Sequence, residues 1–528
     1  MGDQYSGEKG ILSTSAESSA PDMQIPPGAC LLEEPGDPCT IVILGASGDL
    51  ARRKLVPALY NLFLQGGLPE TFAIVGGART EYSSDDFRGE MHEAISSGGG
   101  LDLSRWGEFA RRLYYHHLDY DSLSSYQGMA EFLKKVDKDN NTQGNRIFYM
   151  ALPMFMYEST SQMIGSAGLS REKEDGNGWA RLVVEKPFGT DLKSARKLDA
   201  TIHESFNEEQ VYRIDHYLAK ETVQNLLMFR FANSIFEPIW DRRYIDSVDI
   251  IAAEELGIEK RAGYYDQSGV LRDMFQNHML QLVALTAIEP PSLFESNRVQ
   301  DEKAKVFRSL RPFPVDSLSE NIVFGQYGAG KISGRDVVAY RDEPNVDPHS
   351  ITPTFAAMKV HIDNWRWHGV PFYLTSGKRL KHKLTQITIR FRKVPHLMFR
   401  NVLGEQISPN HLTLGIYPEE KIALRFQTKN PGALVCLRPV DMNFSYLQNY
   451  HGPVLDAYEK AIIDCMQGDH MLFLRQDSVE LCWEFIDPVL EACEQCADPN
   501  AKLRIYESGS WGPEDALELK KSRSTNGQ

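Results

Sequence analysis

Six residues, Thr40-Ile-Val-Ile-Leu-Gly45, constrain the fold of this chain more than any others. An unbroken apolar run ending in glycine is the pattern of a parallel strand covered on both faces. A helical pattern follows at once, with Leu50, Leu55, Leu59, Leu62 and Phe63 sharing a side, and Gly66-Gly67 stops it. Phe72-Ala-Ile-Val-Gly-Gly reads as the next strand. Strand, helix and strand at this spacing form a crossover unit. Arg146-Ile-Phe-Tyr-Met-Ala-Leu152 and Ala180-Arg-Leu-Val-Val-Glu185 repeat the strand signal. Residues 39–212 are therefore expected to form an α/β domain around a mostly parallel sheet.

The pattern changes after 213. Helical periodicity appears around 217–233 and 268–287. Alternating segments follow, such as Lys359-Val-His-Ile-Asp, Gln386-Ile-Thr-Ile-Arg-Phe and His411-Leu-Thr-Leu-Gly-Ile. Period-two alternation predicts a mainly antiparallel sheet with one covered face, so 213–513 reads as a second, larger β+α domain. Residues 1–38, rich in Ser, Gly, Pro and acids, read as a disordered extension, and 514–528 as a flexible tail.

A net charge of −15 over 528 residues argues against nucleic acid as the main partner, while leaving room for a small anion held by a local basic cluster. No apolar run is long enough to span a membrane and no secretory h-region is visible, so the cytoplasm is the expected location. The seven cysteines are sparse and odd in number, which suggests reduced thiols; Cys493-Glu-Gln-Cys496 lacks the second pair that zinc needs. No metal site is expected.

The chemistry is concentrated in a few words. Gly45-Ala46-Ser47-Gly48-Asp49-Leu50-Ala51 joins the first strand to the first helix, where backbone and helix N-terminus can approach a pyrophosphate. The second strand ends Val75-Gly-Gly-Ala-Arg79-Thr80, with no acid at its tip. A carboxylate there would repel a 2′-phosphate, whereas Arg79 can hold one bidentately, so NADP is favoured over NAD; Arg52, Arg53 and Lys54 add positive charge. Glu185-Lys186-Pro187-Phe-Gly189 sits at a strand end, where Lys186 can reach cofactor and substrate and Pro187, trans or cis, fixes the turn.

Arg213-Ile-Asp215-His216-Tyr217-Leu-Ala-Lys220, read as a helix, puts His216 and Lys220 four apart on one face, a two-pronged grip for a phosphate. Asp215 then points elsewhere. His278 falls with Met274 and Leu282 at helical spacing, where a lone histidine is more often a core residue than a catalyst. It becomes a base if the fold brings a carboxylate to it, and Asp215 is the candidate. Lys378-Arg-Leu-Lys-His-Lys383 reads as a solvated hairpin tip that can lend cations to a sugar phosphate.

Together these words resemble the glucose-6-phosphate dehydrogenase family, from the first strand to about Pro513. They are Gly45 to Ala51, Tyr149-Met-Ala-Leu-Pro153, Glu185 to Gly189, Arg213 to Lys220, Asn225-Leu with Arg230-Phe-Ala-Asn233, Arg272-Asp with Gln276-Asn-His278, and Gly369-Val-Pro-Phe372 with Gly377-Lys378. The resemblance implies a Rossmann-like domain plus a β+α domain, assembled as homodimers or homotetramers through the second domain's sheet. It implies NADP-dependent oxidation of D-glucose 6-phosphate at C1. His278 resembles the base and Asp215 its orienting partner. His216, Tyr217 and Lys220 correspond to the phosphate grip, and Lys186 to the lysine between substrate and cofactor. Glu254, Asp273, Lys378 and Lys383 correspond to residues holding hydroxyls or phosphate. Residues 45–52, Arg79 and Tyr157 lie on the cofactor side. The alternatives are an NADP-dependent dehydrogenase of another sugar phosphate, and an inactive NADP-binding regulator.

The chain departs from the family in places. Ala219 replaces a common glycine, Lys383 stands where some members have arginine, and Tyr417 replaces a glutamine near the sugar, so that glutamine's role is not carried over. The basic and aromatic positions of the second, structural NADP site of mammalian members appear as Thr375, Leu384, Thr388, Gly415 and Ala423, and the aromatic C-terminal segment is missing. One NADP per subunit is expected.

Overall fold

A computed structural model of the chain describes residues 36–99, 101–172, 178–396, 398, 407–432, 436–445, 455–494 and 503–521. Its first sheet is built on β1 (Cys39–Leu44), in which every residue is buried. The reason is its position. β1 lies between β2 (Phe72–Ala78) and β4 (Arg146–Met150) and pairs in parallel with both, with Ile41 opposite Ile74 and Ile147. A strand with neighbours on both edges and helices over both faces has no solvent-facing position to fill. With β3 (Leu113–His117), β5 (Ala180–Val184) and β6 (Val211–Ile214), the order across the sheet is 3-2-1-4-5-6, so the order reverses beside β1. In open parallel sheets, ligands bind at the carboxyl ends of the strands at such a reversal.

A seventh strand comes from far along the chain. β16 (Phe473–Leu474) pairs antiparallel with β6, Phe473 opposite Ile214. Just before it, the helix Ala457–Gln467 packs on the helix Val56–Gln65, and Asn61 donates to Glu459 Oε1 at 2.6 Å. Ile462, Ile463 and Phe473 share one apolar core with Ile41, Ile43 and Tyr149. Residues well past 213 thus complete the core of the first sheet.

The second sheet runs β15-β14-β13-β12-β7-β11-β10-β8-β17, with β9 paired to β8. These strands are β7 (Ile245–Ala253), β8 (Ile322–Ile332), β9 (Arg335–Val337), β10 (Phe355–His361), β11 (Pro371–Gly377), β12 (Leu384–Phe391), β13 (His411–Tyr417), β14 (Lys421–Lys429), β15 (Leu437–Ser445) and β17 (Leu503–Ser508). Pairing is antiparallel except β7 with β11 and β8 with β17, in line with the mainly antiparallel expectation. Val248, Ile250, Phe372, Leu374, Ile387, Ile389, Leu412 and Leu414 of this sheet share a core with Leu271, Met274, Phe275 and Leu282. The sheet thereby fixes the helical run that carries His278.

One expectation changes here. The stretch read as a flexible tail contains the helix Asp515–Lys521, docked by buried Ala516 and Leu519 and by an ion pair from Lys520 to Asp249 at 2.8 Å. Cys39 lies inside β1, where burial pushes its thiol up to about 12. Residues 1–35, with Cys30, and 522–528 lie outside the described residues, as does Cys496.

Candidate active site

The turn after β1 allows a close backbone approach. Gly45 has φ +92, and a Cβ there would fall 2.2 Å from the Ala151 carbonyl oxygen, so only glycine fits. Its N–H donates to the Gly77 carbonyl at 2.9 Å, and Gly48 N–H donates back to the Gly45 carbonyl at 2.9 Å. Gly76 is needed for the same closeness: a Cβ on it would stand 2.9 Å from that of Ala46. Ser47 Oγ accepts from Thr80 Oγ1 at 3.1 Å, tying the turn to the end of β2. Arg79 is exposed beside that link and, among the described residues, has no carboxylate partner. Arg52 reaches Glu90 at 3.4 Å and Arg53 reaches Asp49 at 3.5 Å. The helix that follows begins with a wide π-wound turn, Ala51–Leu55. Close glycines, a helix start and a free guanidinium suit a dinucleotide with a 2′-phosphate. Tyr157 is buried, and its hydroxyl donates to the Glu185 carbonyl oxygen at 3.1 Å; it holds the residue before Lys186.

β5 and β6 are neighbours, with Val184 opposite Arg213. The Glu185-Lys186 and Asp215-His216 words therefore leave the sheet side by side. This corrects the helical reading of 213–220. Val211–Ile214 is strand, and Asp215 opens a turn in which its carbonyl accepts from Leu218 N–H at 3.0 Å. The helix Glu221–Phe231 starts only after Lys220, its N-cap. Arg213 stays in the strand because its buried guanidinium is neutralised by Asp199 and Glu208, at 2.8 Å each.

The structure brings Asp215 and His278 together. His278 Nδ1 lies 2.5 Å from Asp215 Oδ1, and both side chains are buried. Tyr217 N–H donates to the same oxygen at 2.9 Å, and the Tyr217 ring stacks on the imidazole at 4.1 Å. On the other side, His278 Nε2 lies 2.9 Å from Lys186 Nζ. The carboxylate can only accept, so the proton sits on Nδ1 and Nε2 presents a lone pair. Burial pushes the imidazole down; the Asp215 carboxylate pulls it up, but the Lys186 ammonium pushes down again, and the net shift is below the ordinary value. Burial pushes Asp215 up, but the imidazole and the Tyr217 N–H outweigh it and hold the carboxyl below its usual range. His278 is carried on a π-wound segment, Leu271–Met279, a form common at functional sites.

From Lys186 the charges continue outward. Its Nζ donates to the Asp273 carbonyl at 3.0 Å and lies 3.3 Å from Asp273 Oδ1. Burial raises Asp273, but Lys186 and Lys378 bring it down to about 2. Lys378 reaches Asp273 Oδ2 at 3.6 Å, pairs with Glu254, and lies over the Tyr265 ring at 4.9 Å. Carboxylates and ammoniums thus alternate from Glu254 to Asp215, a row suited to sugar hydroxyls.

Two more cations converge on one ring. Lys383 Nζ stands 4.2 Å and Lys220 Nζ 5.5 Å from the centre of Tyr417; Lys220 also lies 4.9 Å from that of Tyr217. Burial, then the Lys383 charge, lowers the pKa of Lys220. Lys220 also stands at a helix N-terminus, whose dipole favours an anion. His216 has another partner: its Nε2 lies 3.0 Å from Glu185 Oε2, and its ring lies against Tyr458 at 4.3 Å. The helical spacing that would put His216 and Lys220 on one face is therefore not adopted, while Lys383 and Lys220 both converge on the Tyr417 ring. Sequence reasoning also gave no role to Glu185, which accepts from Tyr149 at 2.5 Å. Tyr149 and Glu185 close adjacent strands in two recognised words, and that adjacency was the available signal. Nothing in the sequence marks Tyr417 as a shared ring.

The chain is similar to known proteins along most of its length. The family description "Glucose-6-phosphate dehydrogenase, NAD binding domain" matches residues 42–225, and "Glucose-6-phosphate dehydrogenase, C-terminal domain" matches 227–526. The chain belongs to the glucose-6-phosphate dehydrogenase family. Glucose-6-phosphate 1-dehydrogenase of Treponema pallidum is 44% identical over 486 residues, covering 91% of this chain and 93% of that one. Its counterpart in Aggregatibacter actinomycetemcomitans is 43% identical, covering 91% and 95%. Among solved structures, a glucose-6-phosphate dehydrogenase in complex with glucose 6-phosphate aligns at TM-score 0.83 and 34% identity, over 92% of this chain and 97% of that one. The enzyme of Mycobacterium avium aligns at TM-score 0.78 and 32% identity, over 94% and 99%.

Proposed function

We propose that this chain oxidises D-glucose 6-phosphate at C1 to 6-phospho-D-glucono-1,5-lactone with NADP+, the first step of the pentose phosphate pathway. The observation that carries the reading is the Asp215–His278–Lys186 row at the carboxyl ends of β5 and β6, two strands from the glycine turn. His278 Nε2 takes the C1 hydroxyl proton, and the Asp215 carboxylate stabilises the imidazolium that results. As that O–H bond opens, the C1 hydride departs and C1 becomes a lactone carbonyl. When bound, NADP+ supplies the hydride acceptor. Gly45 to Arg52 and Arg79 hold it, and Lys186 stands beside the reacting carbon. Glu254, Asp273 and Lys378 hold the sugar hydroxyls; Lys220, Lys383, Tyr217 and His216 serve the phosphate end. The low proton affinity of His278 keeps the base free at neutral pH.

The enzyme works as a homodimer or homotetramer in the cytoplasm on this reading. Exposed Met442 and Phe444 on β15, the outer strand of the large sheet, support an assembly surface there. Among the described residues no helix is long and apolar enough to cross a membrane. The deciding assay is NADPH formation from glucose 6-phosphate, with NAD+ and unphosphorylated glucose as controls. Turnover with glucose 6-phosphate and NADP+ far above both controls is expected. Faster turnover of another sugar phosphate would sink the substrate assignment, and absence of any turnover would leave only an NADP-binding protein.

A further inference from the structure

Arg79 and Thr80 follow the last residue of β2 and are both exposed. A guanidinium on such a tip gains nothing from side-chain packing. It is ordered through its own backbone, or its ordering is a cost of binding.

Two tyrosines hold that backbone. Tyr115, on β3, directs its hydroxyl at the Thr80 carbonyl, 2.6 Å away, with the Ala78 carbonyl at 3.2 Å. These are the carbonyls on either side of Arg79. The Thr80 carbonyl also accepts from Tyr82 N–H at 3.1 Å, and that of Ala78 from Leu118 N–H at 2.9 Å. Tyr120, in the loop after β3, donates to the Gly77 carbonyl at 3.1 Å. Gly45 N–H and Ala46 N–H meet the same carbonyl, at 2.9 Å and 3.3 Å. Tyr115 therefore grips the tip that carries Arg79, and Tyr120 joins the end of β2 to the glycine turn. The two side chains belong to residues only 5% and 4% exposed. Burial pushes the Tyr120 phenol up to about 12 and raises that of Tyr115 as well, so both are neutral donors at neutral pH. The Tyr115 ring packs on Tyr82 and Phe87, at 5.4 Å and 5.3 Å, a task phenylalanine would do equally well. What needs a reason at both positions is the hydroxyl.

We propose that Tyr115 and Tyr120 are positioning residues for cofactor selection: Tyr115 sets the backbone that presents Arg79 to a 2′-phosphate, and Tyr120 locks the glycine turn that receives the pyrophosphate. The two hydroxyls then divide the cofactor between them. Loss of the first weakens only ligands with a 2′-phosphate; loss of the second weakens ligands with and without one. The inference rests on reading Arg79 as the holder of the 2′-phosphate.

Calorimetric titration of the free enzyme with NADP+, adenosine 2′,5′-bisphosphate and AMP tests it. Tyr115→Phe keeps the ring and removes one donor. Its Kd for NADP+ and for the bisphosphate should rise about two- to tenfold, the worth of one hydrogen bond, with Kd for AMP unchanged. In turnover, KM for NADP+ should rise while kcat and KM for glucose 6-phosphate hold. Tyr120→Phe should raise Kd for the bisphosphate and for AMP together. In an Arg79→Ala background, Tyr115→Phe should leave the bisphosphate-to-AMP ratio where Arg79→Ala puts it. An unchanged ratio in Tyr115→Phe, with or without a lowered Tm, would overturn the proposal and leave the Arg79 reading standing. A ratio that Arg79→Ala itself does not move would refute that reading, and the proposal with it. If Tyr115→Phe does not fold, equal losses for both ligands in Tyr120→Phe support the lock on the turn, and a loss confined to the bisphosphate overturns it. Failure of both variants to fold would assign the hydroxyls to structure alone.

Discussion

At the scale of single residues, the site is a lesson in what types can and cannot reveal. His278 and Asp215 are legible as a base and its partner, but 63 positions separate them, and their 2.5 Å contact exists only because the π-wound segment and the turn after β6 meet in the fold. Helical spacing suggested a His216–Lys220 grip, yet the carboxylate that occupies His216 lies in a different word, at Glu185. If His278 is the base, His278→Asn should lower kcat by roughly 10²–10⁴-fold, with KM for both substrates close to unchanged. Steady-state kinetics at saturating NADP+ reads this directly, and a normal kcat would refute it. The pH dependence has a definite sign. The imidazole must be neutral to act, and its proton affinity is depressed first by burial, so the acid limb should lie below the ordinary histidine value of about 6.5. Lys186 contributes to that depression. In Lys186→Met the limb should therefore move up in pH, besides any loss of binding, and a limb that stays or moves down would contradict the 2.9 Å contact as a functional one.

Elements were legible where a period is clean and obscure where charges hide it. β1 and the antiparallel strands β12 and β13 follow their apolar patterns, buried throughout or alternately. The 211–220 stretch misleads because its polar residues are not solvated: Arg213 is 1% exposed and ion-paired, and Asp215 is buried against His278. A strand of four residues followed by a turn then looks, by composition, like an amphipathic helix. The glycine turn is the opposite case, since its backbone dictates the residue. In Gly45→Ala the new methyl would sit 2.2 Å from the Ala151 carbonyl at φ +92, so β1 and β4 must part or the turn must refold. A strained position of this kind costs about 1–3 kcal/mol. The variant should lose several degrees of Tm, and KM for NADP+ should rise more than KM for glucose 6-phosphate. Calorimetry with separate saturation curves distinguishes this from general unfolding, which would raise both together.

At the scale of the whole molecule, the chain order conceals how the parts close. The helix Ala457–Gln467 and β16 complete the core of the first sheet, and no local pattern near 460 points to residues near 41. The positions compared with the second cofactor site of mammalian family members lie on the large sheet. Along it, Thr388 of β12 pairs with Thr413 of β13, which pairs with Ala423 of β14, a row without a cation. Thr375 and Thr388 are both buried. Gly415 cannot accept a basic side chain as it stands, because even a Cβ would fall 2.5 Å from the Glu419 carbonyl. A dinucleotide carrying several negative charges finds no partner across that row, so a subunit should bind one NADP, at the β1 turn. Equilibrium dialysis should give a stoichiometry near one per chain. Thermal stability offers an independent check, because a ligand at a single site stabilises by RT ln(1 + [L]/Kd). Arg79→Ala, at the tip of β2, should shift the whole Tm-against-NADP curve to higher concentration without leaving a plateau at low concentration. A residual plateau in that variant, unmoved by loss of Arg79, would demonstrate a second site and overturn the single-site reading.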